Sequence, residues 1–451
     1  MIDISEEYKI IINTPERHFQ PKLLIYFDGE DQTPIEFNGD DIFSLSLLEE
    51  RKAENGKPFG SVSANSIFIE LNNSDKKFTQ NNVDGPYYGK IRPNIMIKPY
   101  LGLELSSGDL EYIPLGVFWT GEWQENKSEL SASVTCMDRM AKIKNMDLPM
   151  IPVVYNTNIR DMFFVLFEAL GLPPASYIVD STLTQEVPRG WFPNGKVTNS
   201  LNCLCESGNC NVAMDRYDIV RVDPNVVTGE AGLSIDDENQ IESGSNPVKY
   251  LDAYSRVNVK YKIPFVKEKS SILKLEKLPV ASGNVTLSNL TFFGGPLVVI
   301  DSINITCTGD ITVMDVDCGA WSMSLTLENN GDTEEIDLEV FGRCLDLTGS
   351  EKTAVNEVAD FDRTLSIENH LIQDETVAVA CAQQVLDYVK NPDIPFAFGL
   401  RGNPAVEIND IINAQAPSLN IATVNVTPTR ITLDYNGDDG LYCRMEARKV
   451  I

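Results

Sequence analysis

Cys203, Cys205 and Cys210 lie within one eight-residue stretch, the tightest grouping of soft metal ligands in the chain. A structural zinc ion needs four ligands, usually supplied as C-x(2–4)-C pairs so that two thiolates reach one tetrahedral centre. Here the first pair is C-x-C. On a helix, two residues so spaced point to different faces, and no fourth ligand follows nearby. The three read as buried thiols. The chain has two histidines, His18 and His370. Neither has a serine, cysteine or metal-ligand companion at an informative spacing, so both are expected to be structural or surface residues. Asp236-Asp237-Glu238 and Glu334-Glu335 are carboxylate runs of the kind any strongly acidic chain carries, and they read as solvated loops. Asp310, Asp315 and Asp317 could meet a calcium ion, but their order lacks the D-x-D-x-D-G pattern of a calcium loop. No G-x-S-x-G, H-E-x-x-H, P-loop or dinucleotide fingerprint occurs. No catalytic, cofactor-binding or metal residue is assigned, no cofactor is expected, and the chain is not expected to be an enzyme.

The elements that would carry these residues are mostly strands. In the first 145 residues, Leu23–Phe27, Ser66–Leu71, Ile95–Tyr100, Val117–Trp123 and Leu130–Cys136 alternate apolar and polar side chains, with turns between. That is the signature of a β-barrel or sandwich. On the fourth of these, alternation sends Phe118 and Thr120 one way and Trp119, Gly121 and Trp123 the other. One face is assigned to core and the other to a subunit interface. The period then changes. Residues 159–170 form a helix entered at Asn158 and closed at Gly171. A second helix is expected over 197–206, capped within Thr198-Asn199-Ser200 and ended by Gly208. A hairpin follows over 211–222 with its turn at Asp215-Arg216-Tyr217-Asp218. Residues 255–265 and 284–345 read as β. Residues 369–390 read as a helix with Val377, Ala380, Cys381, Gln384, Val385 and Tyr388 on one face. The last sixty residues return to strands.

Composition sets the outer limits. The chain has 451 residues and 43% hydrophobic content, enough for two to four globular domains. The net charge of −29 argues against a grip on nucleic acid, which needs clustered lysine and arginine. Residues 278–342 contain no basic residue yet hold ten acidic ones, Asp310, Asp315 and Asp317 among them. This stretch reads either as a solvated face or as a repulsive wall along which DNA slides without sticking. The nine cysteines lack framework spacing and read as reduced, buried small hydrophobes of a protein folded in cytoplasm. The N-terminus has neither a basic nor an apolar leader region, and no apolar run reaches membrane-spanning length, so neither a cleaved signal nor a membrane anchor is expected.

Several segments occur in a telling order. Tyr88-Gly89-Lys90-Ile91-Arg92-Pro93-Asn94-Ile95 is followed by Leu115-Gly116-Val117-Phe118, then by Thr135-Cys136-Met137-Asp138-Arg139-Met140. Next comes the Asp215-Arg216-Tyr217-Asp218 hairpin, then Arg401-Gly402-Asn403-Pro404-Ala405-Val406-Glu407-Ile408-Asn409-Asp410, and a closing hairpin through Cys443-Arg444-Met445. This succession resembles the baseplate hub and tail-associated (tail-tip) structural proteins of phages of Gram-positive bacteria and related tailocins. Asn94 and Asn409 stand where that pattern has glycine.

The resemblance implies a mainly β, multidomain chain with a few helices (α+β). Two tube-like β-barrels are expected, at 1–150 and, with a helix, at 346–451. A small α+β domain (151–250) and an acidic β module (251–345) would lie between them. It further implies a homotrimer that meets the tail tube or distal tail protein on one side and tip, needle, lysin or receptor-binding proteins on the other. DNA would pass through on ejection, and the protein would sit in the virion tail after assembly in the host cytoplasm. The chain stops at Ile451 just after the closing hairpin, from which a separate tip or lysin partner is expected. A peripheral adaptor, a receptor-binding tail protein, the hub of a tail-like injection particle and a glycan hydrolase remain as alternatives.

Overall fold

The computed structural model describes residues 1–51, 60–126, 128–225, 229–236, 253–390, 396–416, 421–437 and 440–450. Asp237 and Glu238 lie outside these residues, as does the expected domain boundary at 250/251. The chain is mainly β with a few helices and divides into two units, each built from separated segments.

The first unit comprises Met1–Lys144, Asn211–Ala253 and Asn391–Ile451. Its centre is a 13-stranded sheet. Strands Phe19–Ile25, Ile42–Glu50, Ser66–Asn72, Met96–Glu104, Phe118–Asn126 and Ser131–Met137 come from the N-terminal part, and Ile412–Ala416, Ile421–Asn436 and Gly440–Lys449 from the C-terminal part. The sequence reading separates these parts into two barrels. The structure joins them edge to edge, because Ser44–Glu50 pairs antiparallel with Arg430–Asn436. One hydrophobic cluster then runs under both, from Leu23, Ile69 and Val134 to Ile431, Leu433 and Met445. Each such side chain contributes roughly 1.5–3 kcal/mol on burial, so the joint core is what fixes the partnership. The path along the sheet ends in two short strands, Leu233–Asp236 and Ile35–Phe37.

The second unit comprises Asn145–Cys210 and Tyr254–Lys390. Helix Ile159–Ala169 starts where expected: the Asn158 side chain accepts from the Asp161 N–H at 2.8 Å, and Gly171 takes φ +73° beyond the end. Helix Val197–Gly208 differs at both ends. Lys196 occupies the N-cap without a side-chain hydrogen bond, and Asn209 at φ +47° closes it. Helix Glu375–Val389 begins six residues later than 369, because Asp374 caps it by accepting from the Thr376 and Val377 N–H groups. Its buried stripe is Ala378, Cys381, Ala382, Val385, Leu386 and Val389. Val377, Ala380, Gln384 and Tyr388 lie off it, since the larger apolar pair Leu386 and Val389 selects the face.

The acidic stretch is a β-sandwich. Glu334–Val355 is a 22-residue strand. Its first half pairs with Ser270–Val280 and Leu297–Thr306, and its second half with Arg256–Val266. Facing it is a three-stranded sheet in the order Gly283–Thr291, Ser322–Asn329, Ile311–Cys318. Met323, Leu325 and Leu327 from one sheet and Ile336, Leu338 and Val340 from the other close the core between them.

Candidate functional site

The residues most able to do chemistry come together in a way their spacing does not announce. His370 lies within the second unit beside Cys203, with Nδ1 3.7 Å from Sγ. Its Nε2 faces the Trp191 carbonyl at 2.8 Å, and its ring stacks on Trp191 at 4.4 Å between centroids. Nε2 therefore carries the proton and Nδ1 is the acceptor. The Cys203 thiol donates to Asn369 Oδ1 at 3.3 Å, and Asn369 Nδ2 donates back to the Cys203 carbonyl at 2.8 Å. A Cys–His–Asn grouping suggests a nucleophile, but the electrostatics run the wrong way. Burial pushes the Cys203 thiol up to about 12, and burial pulls His370 down to about 4. A catalytic cysteine needs a depressed thiolate pKa and a basic partner. Here thiol and imidazole are both neutral near pH 7. The group ties helix Val197–Gly208 to the segment before helix Glu375–Val389. Gln373 extends the tie by accepting from the Arg189 N–H at 3.0 Å and donating to the Arg189 carbonyl.

Cys205 sits on another face of the same helix. It meets Cys210, and burial raises its thiol well above the ordinary range. Among the described residues, no three His, Cys, Asp or Glu side chains converge as ligands. His18 is exposed on its loop. Asp310 receives Asn330, and Glu334 accepts from the Thr308 N–H at 2.9 Å, so both shape turns. Asp315 and Asp317 lie along a strand.

The tryptophan assignment needs correction. Trp123 is buried with Phe118 and Thr120, while Trp119 is half-exposed. The register between Phe118–Asn126 and Ser131–Met137 slips between Thr120 and Trp123. This bulge adds a residue and returns Trp123 to the core face, where it stacks on Phe78 at 5.9 Å. Gly121 permits it, since a Cβ there would stand 2.8 Å from the Thr135 carbonyl oxygen. Trp119 instead donates to Glu30 at 2.9 Å and lies under the Arg139 guanidinium.

The ordered motifs converge within the first unit. In the turn after strand Cys210–Met214, Asp215 accepts from the Tyr217 and Ile219 N–H groups, both at 2.9 Å. Asp218 takes φ +66° and pairs with Arg139. Arg216 turns inward, only 3% exposed. Its Nε and Nη2 donate to the two oxygens of Glu49 at 2.8 and 2.7 Å. Nη2 also donates to the Val406 carbonyl at 2.9 Å, and Nη1 donates to the Pro404 carbonyl. Burial opposes the charge of Arg216, but the bidentate Glu49 carboxylate outweighs it and holds the guanidinium pKa above its usual value. Thus one side chain joins the hairpin, strand Ile42–Glu50 and the Gly402–Asp410 turn.

That turn carries its own devices. Asn403 accepts from the Ala405 N–H at 3.0 Å, and Asp410 accepts from the Glu407 N–H at 2.7 Å. Arg17 donates to the Gly402 and Arg401 carbonyls, and Arg401 donates back to the Thr14 and Pro15 carbonyls. Asn409 sits at φ +89° and Asn94 at φ +64°. These are the two places where asparagine replaces the pattern's glycine, and asparagine is the side-chain-bearing residue that best tolerates the left-handed region. The departures keep the backbone. The cluster fastens distant segments of the first unit.

No family model and no curated protein matches the chain. Two solved structures share its fold over nearly the whole length. One is the 43 kDa tail protein of prophage MuSo2 from Shewanella oneidensis, with TM-score 0.52 and 10% identity, covering 95% of this chain and 98% of that one. The other is the tail protein from Neisseria meningitidis MC58, with TM-score 0.51 and 7% identity, covering 95% and 96%. At such identity the likeness is one of fold.

Proposed function

We propose that the chain is a structural component of a phage-type tail: the hub that closes the distal end of the tail tube and joins it to the tip. The observation that carries this reading is the fold, shared over nearly the whole length with two tail proteins, one of them from a prophage, rather than over one domain. The main path of the 13-stranded sheet ends in strands of four and three residues, which leaves little edge there to aggregate. In this reading three copies form a ring, the tail tube or distal tail protein sits on one side, tip, lysin or receptor-binding proteins sit on the other, and DNA passes through the bore on ejection. In this reading the protein works without catalysis; the neutral Cys203–His370 pair supports that.

The test is negative-stain imaging and native mass measurement of the purified chain, alone and with a tail-tube protein. A three-fold ring at the tube end is the expected result. A monomer found only as a peripheral appendage would replace the hub with an adaptor or receptor-binding protein, and release of sugar from purified cell wall would replace it with an enzyme.

A further inference from the structure

The acidic sandwich has an unfinished flank. Among the described residues, strand Ile311–Cys318 pairs only with Ser322–Asn329, and strand Leu297–Thr306 pairs only with the long strand Glu334–Val355, so each has a side without a described partner. They are consecutive, joined by the turn 307–310, and each forms an edge of its own sheet. Val313 and Val316 stand opposite the buried Leu327 and Leu325, on the core side, yet they are 40% and 37% exposed because nothing lies beyond them. Ile300, Ile303 and Ile305 of the other edge are also only partly covered. The result is an apolar seam with unpaired backbone beside it. Soluble proteins guard such an edge with lysine, other charges, proline or bulges. This flank has no lysine or proline on its two strands; its charges are all aspartates, and its bulges are local. Its outward positions on Ile311–Cys318 include Asp315 and Asp317, opposite Thr326 and Ser324, and the whole stretch 278–342 lacks lysine and arginine.

We propose that this flank is a docking edge for a short β-strand of a partner protein that alternates apolar residues with lysine or arginine. Its apolar side chains would cover Val313 and Val316, its backbone would extend the sheet, and its cations would face Asp315 and Asp317. A second copy of the same strand fits poorly. Self-pairing would set aspartate against aspartate.

The probe is a short fluorescein-labelled peptide alternating valine and lysine, titrated into the full chain and followed by anisotropy. Binding is expected, weakened roughly tenfold or more by Asp315→Lys/Asp317→Lys and by salt. Glu357→Lys/Asp360→Lys makes the same charge change on another exposed loop of this unit and should leave affinity unchanged. A peptide N-methylated at alternate backbone positions should not bind. Circular dichroism and melting confirm that each variant folds. Equal loss with both double variants, or equal binding of the N-methylated peptide, would mean unspecific attraction and overturn the proposal. So would a fall in self-association caused by Asp315→Lys/Asp317→Lys, which would make the occupant a second copy. The peptide binds the free chain without tail assembly, so failure here and failure to form rings are separate results.

Discussion

Replacing Arg216 with methionine removes the guanidinium while keeping much of its apolar stem. Glu49, 5% exposed, is then left as a buried carboxylate without its two charge-assisted hydrogen bonds. Breaking a buried pair from one side costs about 3–5 kcal/mol. The Val406 and Pro404 carbonyls also lose donors, and each adds about 1 kcal/mol or more where water does not enter. The expected loss for the first unit is therefore about 5–7 kcal/mol, a large fraction of a domain's usual stability. The double variant Arg216→Met/Glu49→Leu removes the orphaned charge and should recover about 3 kcal/mol of that loss. The assay is urea unfolding followed by tryptophan fluorescence. Trp191→Phe and Trp321→Phe silence the second unit, so that Trp119 and Trp123 report on the first. A loss below about 1 kcal/mol in Arg216→Met, or no recovery in the double variant, would refute the view that this pair fastens the three segments.

Four further outcomes are expected. Asn409→Ala and Asn94→Ala should each lose about 1–2 kcal/mol in denaturant melts because of their positive φ, whereas the glycine variants should match or slightly exceed the parent. Gly121→Ala should destabilise the first unit by about 1–3 kcal/mol and red-shift Trp123 emission, since its methyl meets the Thr135 carbonyl and the bulge must shift. Burial raises Asp138 to about 7, above its unfolded value of roughly 3.9, so its contribution to stability falls as pH rises from about 4 to about 7; Asp138→Asn should remove that slope from a pH series of melts. With its thiol pushed up to about 12, Cys203 should resist iodoacetamide at pH 8 in the native chain and react once unfolded, as mass spectrometry of peptides would show.

Much of the fold was legible locally. Asn158 and Gly171 bracket their helix because capping chemistry is a short-range matter, and the period-2 runs around Ile67, Ile97 and Val134 are strands. What failed was chosen over distance. Helix Glu375–Val389 could start at Asn369 or Asp374 by residue type; it starts late because Asn369 and Gln373 are engaged with Cys203 and Arg189. The slip at Gly121 that reverses Trp123 depends on the neighbouring strand. Nothing in the spacing of Cys203 and His370, or of Glu49 and Arg216, marks them as neighbours, since each pair is separated by 167 residues. The pairing of Ser44–Glu50 with Arg430–Asn436 is equally silent, because many strands of the chain share the same alternating pattern. The motif order around Arg216 was visible, but not that one guanidinium is the reason for it.

That same pairing sets a schedule on the ribosome. Strand Ile42–Glu50 emerges early, yet Arg430–Asn436 is nearly four hundred residues further along. At about 5–20 residues per second, the interval is roughly 20–80 seconds. Throughout it the nascent sheet presents an unmatched border and an uncovered apolar surface, and the second unit is synthesised in the meantime. The last step in folding the first unit therefore waits for these late strands, and the chain should depend on a holding chaperone during synthesis more than its finished stability would suggest.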